Sequence, residues 1–162
     1  MKKITYLILL FIIFTKLTGC QGYVPIFNSE DIKIKISEYS LEGDKILGNK
    51  IYTKLHNLFN SNKDNNNLRS VALLIESEKE KNTTSKDSSG KILEYKLTIN
   101  THVKIKDLEN GNEILNKTFT SSSNFKVQDQ YSDTITSENK TLEDLLNKTY
   151  QDIIISILGN IN

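Results

Sequence analysis

The chain has one cysteine, one proline, one methionine and no tryptophan among its 162 residues. A single thiol excludes an internal disulfide. The lone proline, Pro25, sits between Tyr23, Val24, Ile26 and Phe27, an extended apolar segment rather than a flexible polar tether. There is one arginine, Arg69, and a net charge of +1, so no basic surplus asks for nucleic acid. His56 and His102 are the only histidines, which leaves a thin inventory for catalysis or metal binding. The longest apolar run, residues 4–14, falls short of the about 20 residues that a membrane span requires.

That run follows Lys2 and Lys3 and precedes Leu17-Thr18-Gly19-Cys20. A basic start, a short apolar stretch and small residues before a cysteine make a secretory signal ending in a lipobox. Cleavage is expected between Gly19 and Cys20, with residues 1–19 as signal peptide. A lone thiol in an exported protein is a spare reactive group, half of an intermolecular pair, or a thiol consumed by lipid. Lipidation of Cys20 accounts for both the residue and its position. Removing residues 1–19 takes away three lysines and no acid, so the net charge falls from +1 to −2. Residues 20–162 fit one domain, and 37% apolar with 25% charged residues is ordinary for a globular chain. Asn-Lys-Thr triplets begin at Asn116, Asn139 and Asn147, but a bacterial lipobox argues against their glycosylation.

Ile32, Ile34 and Ile36 alternate with Lys33, Lys35 and Ser37, the period of a half-buried first strand. Leu47, Ile51, Leu55, Leu58 and Phe59 then recur at three and four, which predicts an amphipathic helix ending before the Asn-rich loop at residues 62–67. A second strand places Val71, Leu73 and Ile75 on one side and fades into Glu78, Glu80 and a polar stretch, residues 82–90, whose tip is expected to be mobile. The third strand is the cleanest: Leu93, Tyr95, Leu97, Ile99, Val103 and Ile105 share one side, and Lys96, His102, Lys104 and Lys106 the other. Asn110-Gly111 marks a hairpin. A three-residue loop, residues 109–111 with Gly111 left-handed, opposes Ile105 to Leu115, Thr101 to Phe119 and Tyr95 to Phe125, keeping the apolar set on one face. A second helix carries Leu142, Leu145, Leu146, Tyr150, Ile153, Ile157 and Leu158, with Thr141, Asp144 or Ser137 as cap and Gly159 as stop.

This order, β-α-β-β-β-α, predicts an α+β fold. It is a two-layer sandwich in which an about four-stranded, mostly antiparallel sheet carries both helices on one face.

The segment Cys20-Gln21-Gly22-Tyr23-Val24-Pro25-Ile26-Phe27 resembles the mature start of LptE-family proteins. The long strand within residues 90–107, the hairpin at Gly111, Asn124-Phe125, Tyr131-Ser132, and the helix with Asp152-Ile153-Ile154 and Ile157-Leu158 are similar to the same family in order and spacing. The resemblance implies a component of lipopolysaccharide export, not an enzyme and without a cofactor beyond the covalent lipid. It would be a lipoprotein on the periplasmic side of the outer membrane, a plug and assembly partner within a β-barrel translocon, LptD. Gln21 after the anchor agrees with outer-membrane sorting. An alternative from another class is a lipid-binding or ABC-transport auxiliary lipoprotein of the envelope.

Lys96, Lys104 and Lys106, with Arg69, are candidates to meet lipopolysaccharide phosphates as point charges, against the simpler reading of solvated lysines. Glu76, Glu78 and Glu80 share one strand face, and a solvated face that discourages edge pairing explains them better than a divalent-ion site. His56 borders the first helix's apolar stripe and His102 lies on the polar side of strand three, surface positions with no nucleophile beside them.

Overall fold

The computed structural model describes residues 34–60 and 68–161. Its elements are β1 (Ile34–Gly43), α1 (Lys45–Asn60), β2 (Arg69–Lys86), β3 (Ile92–Asp107), β4 (Glu113–Lys126) and α2 (Tyr131–Ile161). The signal segment, Cys20, the Pro25 segment, Ile32 and the Asn-rich loop lie outside the described residues. The strands stand in the order β1-β2-β3-β4, with β1 parallel to β2 and the other two pairs antiparallel. This is the expected two-layer α+β arrangement.

The alternation that marks β1 shifts phase part-way along. A bulge lies between Ile36 and Glu38, so Ile34 and Ile36 face the helices before it, and Tyr39 and Leu41 after it. The strand therefore continues beyond the expected stretch to Gly43. There φ is 68°, and a Cβ would stand 2.3 Å from the Ser77 carbonyl oxygen. Only glycine fits both demands. The same oxygen accepts the Asp44 N–H at 2.6 Å, and Asp44 Oδ1 accepts the N–H groups of Ile46 and Leu47 at 3.1 and 3.2 Å. That is an N-cap, and it starts α1 running back over β1 and β2.

Leu47, Ile51, Leu55 and Phe59 from α1 meet Ile34, Val71, Leu73 and Ile75 from the sheet; Leu145, Leu146, Ile153, Ile154 and Ile157 from α2 cover Leu97, Ile99, Val103, Ile105, Leu115, Phe119 and Phe125. All these side chains are buried. One polar seam crosses this core. Ser77 and Thr101 oppose each other in register and are fully buried, and neither hydroxyl has a hydrogen-bond partner among the described residues. Beside them the Thr149 hydroxyl of α2 donates to Ser121 Oγ at 3.0 Å. Above the seam the helices are joined by polar ties, Lys50 to Glu143 and Lys54 to Asn147.

The β3–β4 register is the expected one: Ile105 opposes Leu115, Thr101 opposes Phe119 and Tyr95 opposes Phe125. The loop is not. Asp107 N–H bonds Asn112 O, closing a four-residue turn over residues 108–111, and a bulge at Ile114 restores the apolar register. Gly111 is left-handed, as the sequence requires, with φ 72°.

Two further expectations need correction. The polar stretch into which the second strand is expected to fade belongs largely to β2, which runs to Lys86 with Thr83 opposite Tyr95 and Lys86 opposite Ile92. Pairing with β3 supplies the ladder there, and only residues 87–91 turn, on Asp87 Oδ1 and a left-handed Gly90. The final helix begins at Tyr131, ten residues before Thr141, so Thr141, Asp144 and Ser137 are interior and not caps. The Thr141 hydroxyl instead donates back to Ser137 O at 2.9 Å. Gly159 lies inside the helix, which continues to Ile161, and does not stop it.

Candidate functional site

The face of the sheet turned away from the helices carries the candidate residues. In antiparallel strands directly opposed residues share a face, so the pairing list gives its composition row by row. On β3 stand Lys96, Thr98, Asn100, His102, Lys104 and Lys106. Opposite them β2 contributes Asn82, Glu80, Glu78, Glu76, Leu74 and Ala72. From the other side β4 contributes Asn124, Ser122, Thr120, Thr118, Asn116 and Glu113. A basic strand therefore lies between an acidic one and one of hydroxyls and amides.

Cross-strand bonds occupy much of this surface. Thr120 Oγ1 donates to Asn100 Oδ1 at 2.8 Å, Asn124 Nδ2 donates to Glu94 Oε1 at 2.9 Å, and His102 Nδ1 lies 3.2 Å from Thr118 Oγ1. Lys104 pairs with Glu113 at 3.1 Å, and this hydrogen bond, with a second from Asn116, holds the Glu113 carboxyl below its usual range. Glu76, Glu78 and Glu80 are all exposed on the open face. Among the described residues no group of three or more histidine, cysteine or acidic side chains is placed to hold a metal ion.

The structure separates the four cationic candidates. Lys104 and Lys106 are neighbours on the open face, but Lys96 is eight residues away along β3, about 26 Å at the usual rise per residue. Arg69 is on the other side of the sheet, where Nε meets Asp107 Oδ2 at 2.9 Å. Asp107 is 1% exposed, and its other oxygen, Oδ1, accepts the Glu109 N–H at 2.8 Å. This buried acid, which clamps the turn after β3 to the start of β2, was missed because an aspartate ending a strand reads as a solvated turn residue; its place in the alternation, two after Ile105, was the available signal.

The histidines are apart as well. His56 packs its ring against Tyr52, which stacks on Tyr39 with ring centroids 4.0 Å apart, on the helical side of the sheet. Burial and the neighbouring Tyr39 push the Tyr52 hydroxyl pKa up. At the far end of the sheet a concavity of about 310 Å³ opens between β3 and the start of α2, lined by Lys81, Lys91, Tyr95, Gln128 and Tyr131 among others. Lys81 bridges it, bonded to Glu138 of α2 at 2.5 Å with its ammonium 4.5 Å from the Tyr95 ring centre. No part of the sequence argument singled out Lys81.

The family model described as Lipopolysaccharide-assembly, LptE, matches residues 23–158. The chain belongs to the LptE family. LptE-type topology is shared with solved lipoproteins at low identity. A minor lipoprotein from Acinetobacter baumannii is 18% identical, with 78% of this chain and 94% of that one covered at a TM-score of 0.53. An uncharacterized lipoprotein B from Nitrosomonas europaea is 13% identical, covering 82% and 88% at a TM-score of 0.55. At such identities the likeness concerns fold alone. No curated protein matches by sequence.

Proposed function

We propose that this LptE-family chain is an outer-membrane lipoprotein, cut before Cys20 and acylated there, that docks as plug and assembly partner in an LptD-type β-barrel and assists lipopolysaccharide delivery to the cell surface. The family match over residues 23–158 is the observation that carries this reading. The lipobox supports the anchor, since several acyl chains at about 0.8 kcal/mol per buried CH₂ hold a protein stably at a bilayer. Side chains that dock rather than react fit the surface described: His56 and His102 lie on opposite sides of the sheet, and the open face carries charges, hydroxyls and amides in rows.

Within this reading, lipopolysaccharide phosphates are met by Lys96, Lys104 and Lys106 on the open face. Arg69 acts elsewhere, through Asp107. The decisive experiment is extraction in mild detergent of the protein tagged after Asn162, with mass spectrometry of what co-purifies and of the N-terminal peptide. A stoichiometric outer-membrane barrel and a triacylated Cys20 are expected. Recovery of the lipoprotein alone sinks the partnership, and an unmodified thiol at position 20 sinks the anchor.

A further inference from the structure

Asn110-Gly111 is the chain's only asparagine-glycine pair, and the turn between β3 and β4 sets its groups in a reactive order. Asn110 Oδ1 accepts the Asn112 N–H at 2.9 Å, an Asx-turn that curls the side chain over Gly111 and brings its Cγ round toward the Gly111 nitrogen. No side chain on Gly111 shields that nitrogen, and both residues are exposed to water. A cation stands over the same spot. A Cβ built on Gly111 would lie 3.8 Å from Lys106 Cε, so the exposed Lys106 side chain ends above the turn. One bond holds the pair back: the Gly111 N–H is donated to Asp107 O at 3.0 Å. Buried Asp107 fixes the closed turn further, its Oδ1 accepting the N–H groups of Glu109 at 2.8 Å and Asn110 at 3.4 Å.

We infer that Asn110 is a site of self-modification, in which its side-chain amide cyclises onto the Gly111 nitrogen with help from Lys106 whenever the turn opens. The Gly111 nitrogen attacks Asn110 Cγ, forming a C–N bond. The Cγ–Nδ2 bond breaks, and Nδ2 leaves as ammonia with the proton that Gly111 gives up. Solvent water then adds to one of the two carbonyls of the resulting succinimide. Cleavage of the new bond gives aspartate, and cleavage of the original peptide bond gives isoaspartate. Nucleophile and electrophile are neighbours on one chain, which removes the cost of bringing them together. Negative charge develops on the nitrogen as its proton departs and on Oδ1 as Cγ becomes tetrahedral, and the Lys106 ammonium stabilises both. Opening of the bond from Gly111 to Asp107 is the gate. Either product adds a carboxylate beside Glu109, in the turn that Asp107 ties to Arg69, and isoaspartate also lengthens the main chain by a methylene. The site is independent of the barrel partnership.

The test incubates the full chain in detergent at neutral pH and follows it by peptide mapping that separates aspartate from isoaspartate. Both are expected at position 110, ahead of every other asparagine. A free peptide of residues 104–116 should convert at least about 10-fold faster, since no turn holds its amide, and the slowing in the protein should track the hydrogen-exchange protection of the Gly111 amide. Lys106→Met should slow conversion in the full chain roughly 3-fold, the scale of one exposed charge, and Lys106→Arg should restore it. Unchanged melting of both variants confirms that the turn is intact. Asn110 that stays intact long after the peptide has converted overturns the site. Conversion at the peptide's rate overturns the gate, and equal rates in Lys106→Met and wild type overturn the part given to the lysine.

Discussion

The same three strands are held in two different ways along their length. In the near half, where the described chain begins at Ile34 and both helices lie over the sheet, Val71, Leu73, Ile75, Val103 and Ile105 are each at most 2% exposed. In the far half, β2 from Glu78 to Lys86 is exposed at every residue, yet it stays paired with β3 as far as Ile92. Only the start of α2 reaches over that end, through Thr134, Glu138 and the Lys81 bridge. Burial fixes the first region. In the second, Leu97, Ile99 and Phe125 still bury β3 and β4, but β2 is held by ladder pairing alone, and a strand held in that way has a lower free energy of opening.

The largest expected effect tests this contrast directly. Ile75→Ala removes a fully buried side chain from the near half and should cost about 2–5 kcal/mol in urea unfolding, while Thr83→Ala in the far half should stay within about 0.5 kcal/mol. In hydrogen exchange, amides of residues 71–77 should open only with global unfolding, and those of residues 79–86 much sooner. Equal protection in the two segments breaks the comparison.

Gly43→Ala comes next. The new Cβ meets the Ser77 carbonyl oxygen, and the residue must keep a left-handed φ, so a loss on the order of 1–3 kcal/mol is expected, with the start of α1 disturbed in circular dichroism. Asp107→Ala should cost about 1–3 kcal/mol, because it strips a buried acceptor from the Glu109 N–H and leaves Arg69 unpaired. Its counterpart in the far half, the Asp87 turn, is solvent-exposed, and Asp87→Ala should change the melting temperature far less.

The polar seam sharpens the picture within the near half, with opposite signs from like chemistry. Thr149→Val removes the bond to Ser121 and should destabilise by about 1 kcal/mol, whereas Thr101→Val replaces an unpartnered buried hydroxyl and should stabilise by up to about 1 kcal/mol. Thermal melts of the two variants decide. The smallest effect concerns pH. Hydrogen bonds from Lys104 to Glu113 and from Ser89 to Asp87 lower the pKa of each carboxyl, so the folded state binds fewer protons than the unfolded one. Their contribution is complete above the ordinary carboxylate range, near pH ~4, and disappears as pH falls through the lowered values. Glu113→Gln should flatten the acid limb of a stability profile slightly, and an unchanged limb would count against it.

The near half is also the part that the sequence made legible. Its strands and both apolar helical stripes could be read from period alone, and matching the apolar residues of β3 and β4 gave the correct register even though the turn is one residue longer than expected and Ile114 bulges to compensate. What escaped the reading has one cause. Residues 131–141 form helix with few apolar side chains, so no stripe marks them. Residues 82–86 form strand with no buried face, so no alternation marks them either. Asp44 and Asp107 act through local hydrogen bonds, which leave no periodic trace. Of the candidate site, the open-face lysines were placed correctly as a row, but their spacing along the strand and the defection of Arg69 to the other side depend on tertiary geometry.

The turn at residues 87–91 sits at the tip of a strand pair whose β3 arm alone spans 16 residues, about 50 Å, from the end of the sheet where Ile34 enters. Were the chain held near that entry point, the tip would project about the length of the ladder away from it. Length along a single ladder, rather than a cavity, is what this molecule offers to anything that needs two distant places kept in fixed relation.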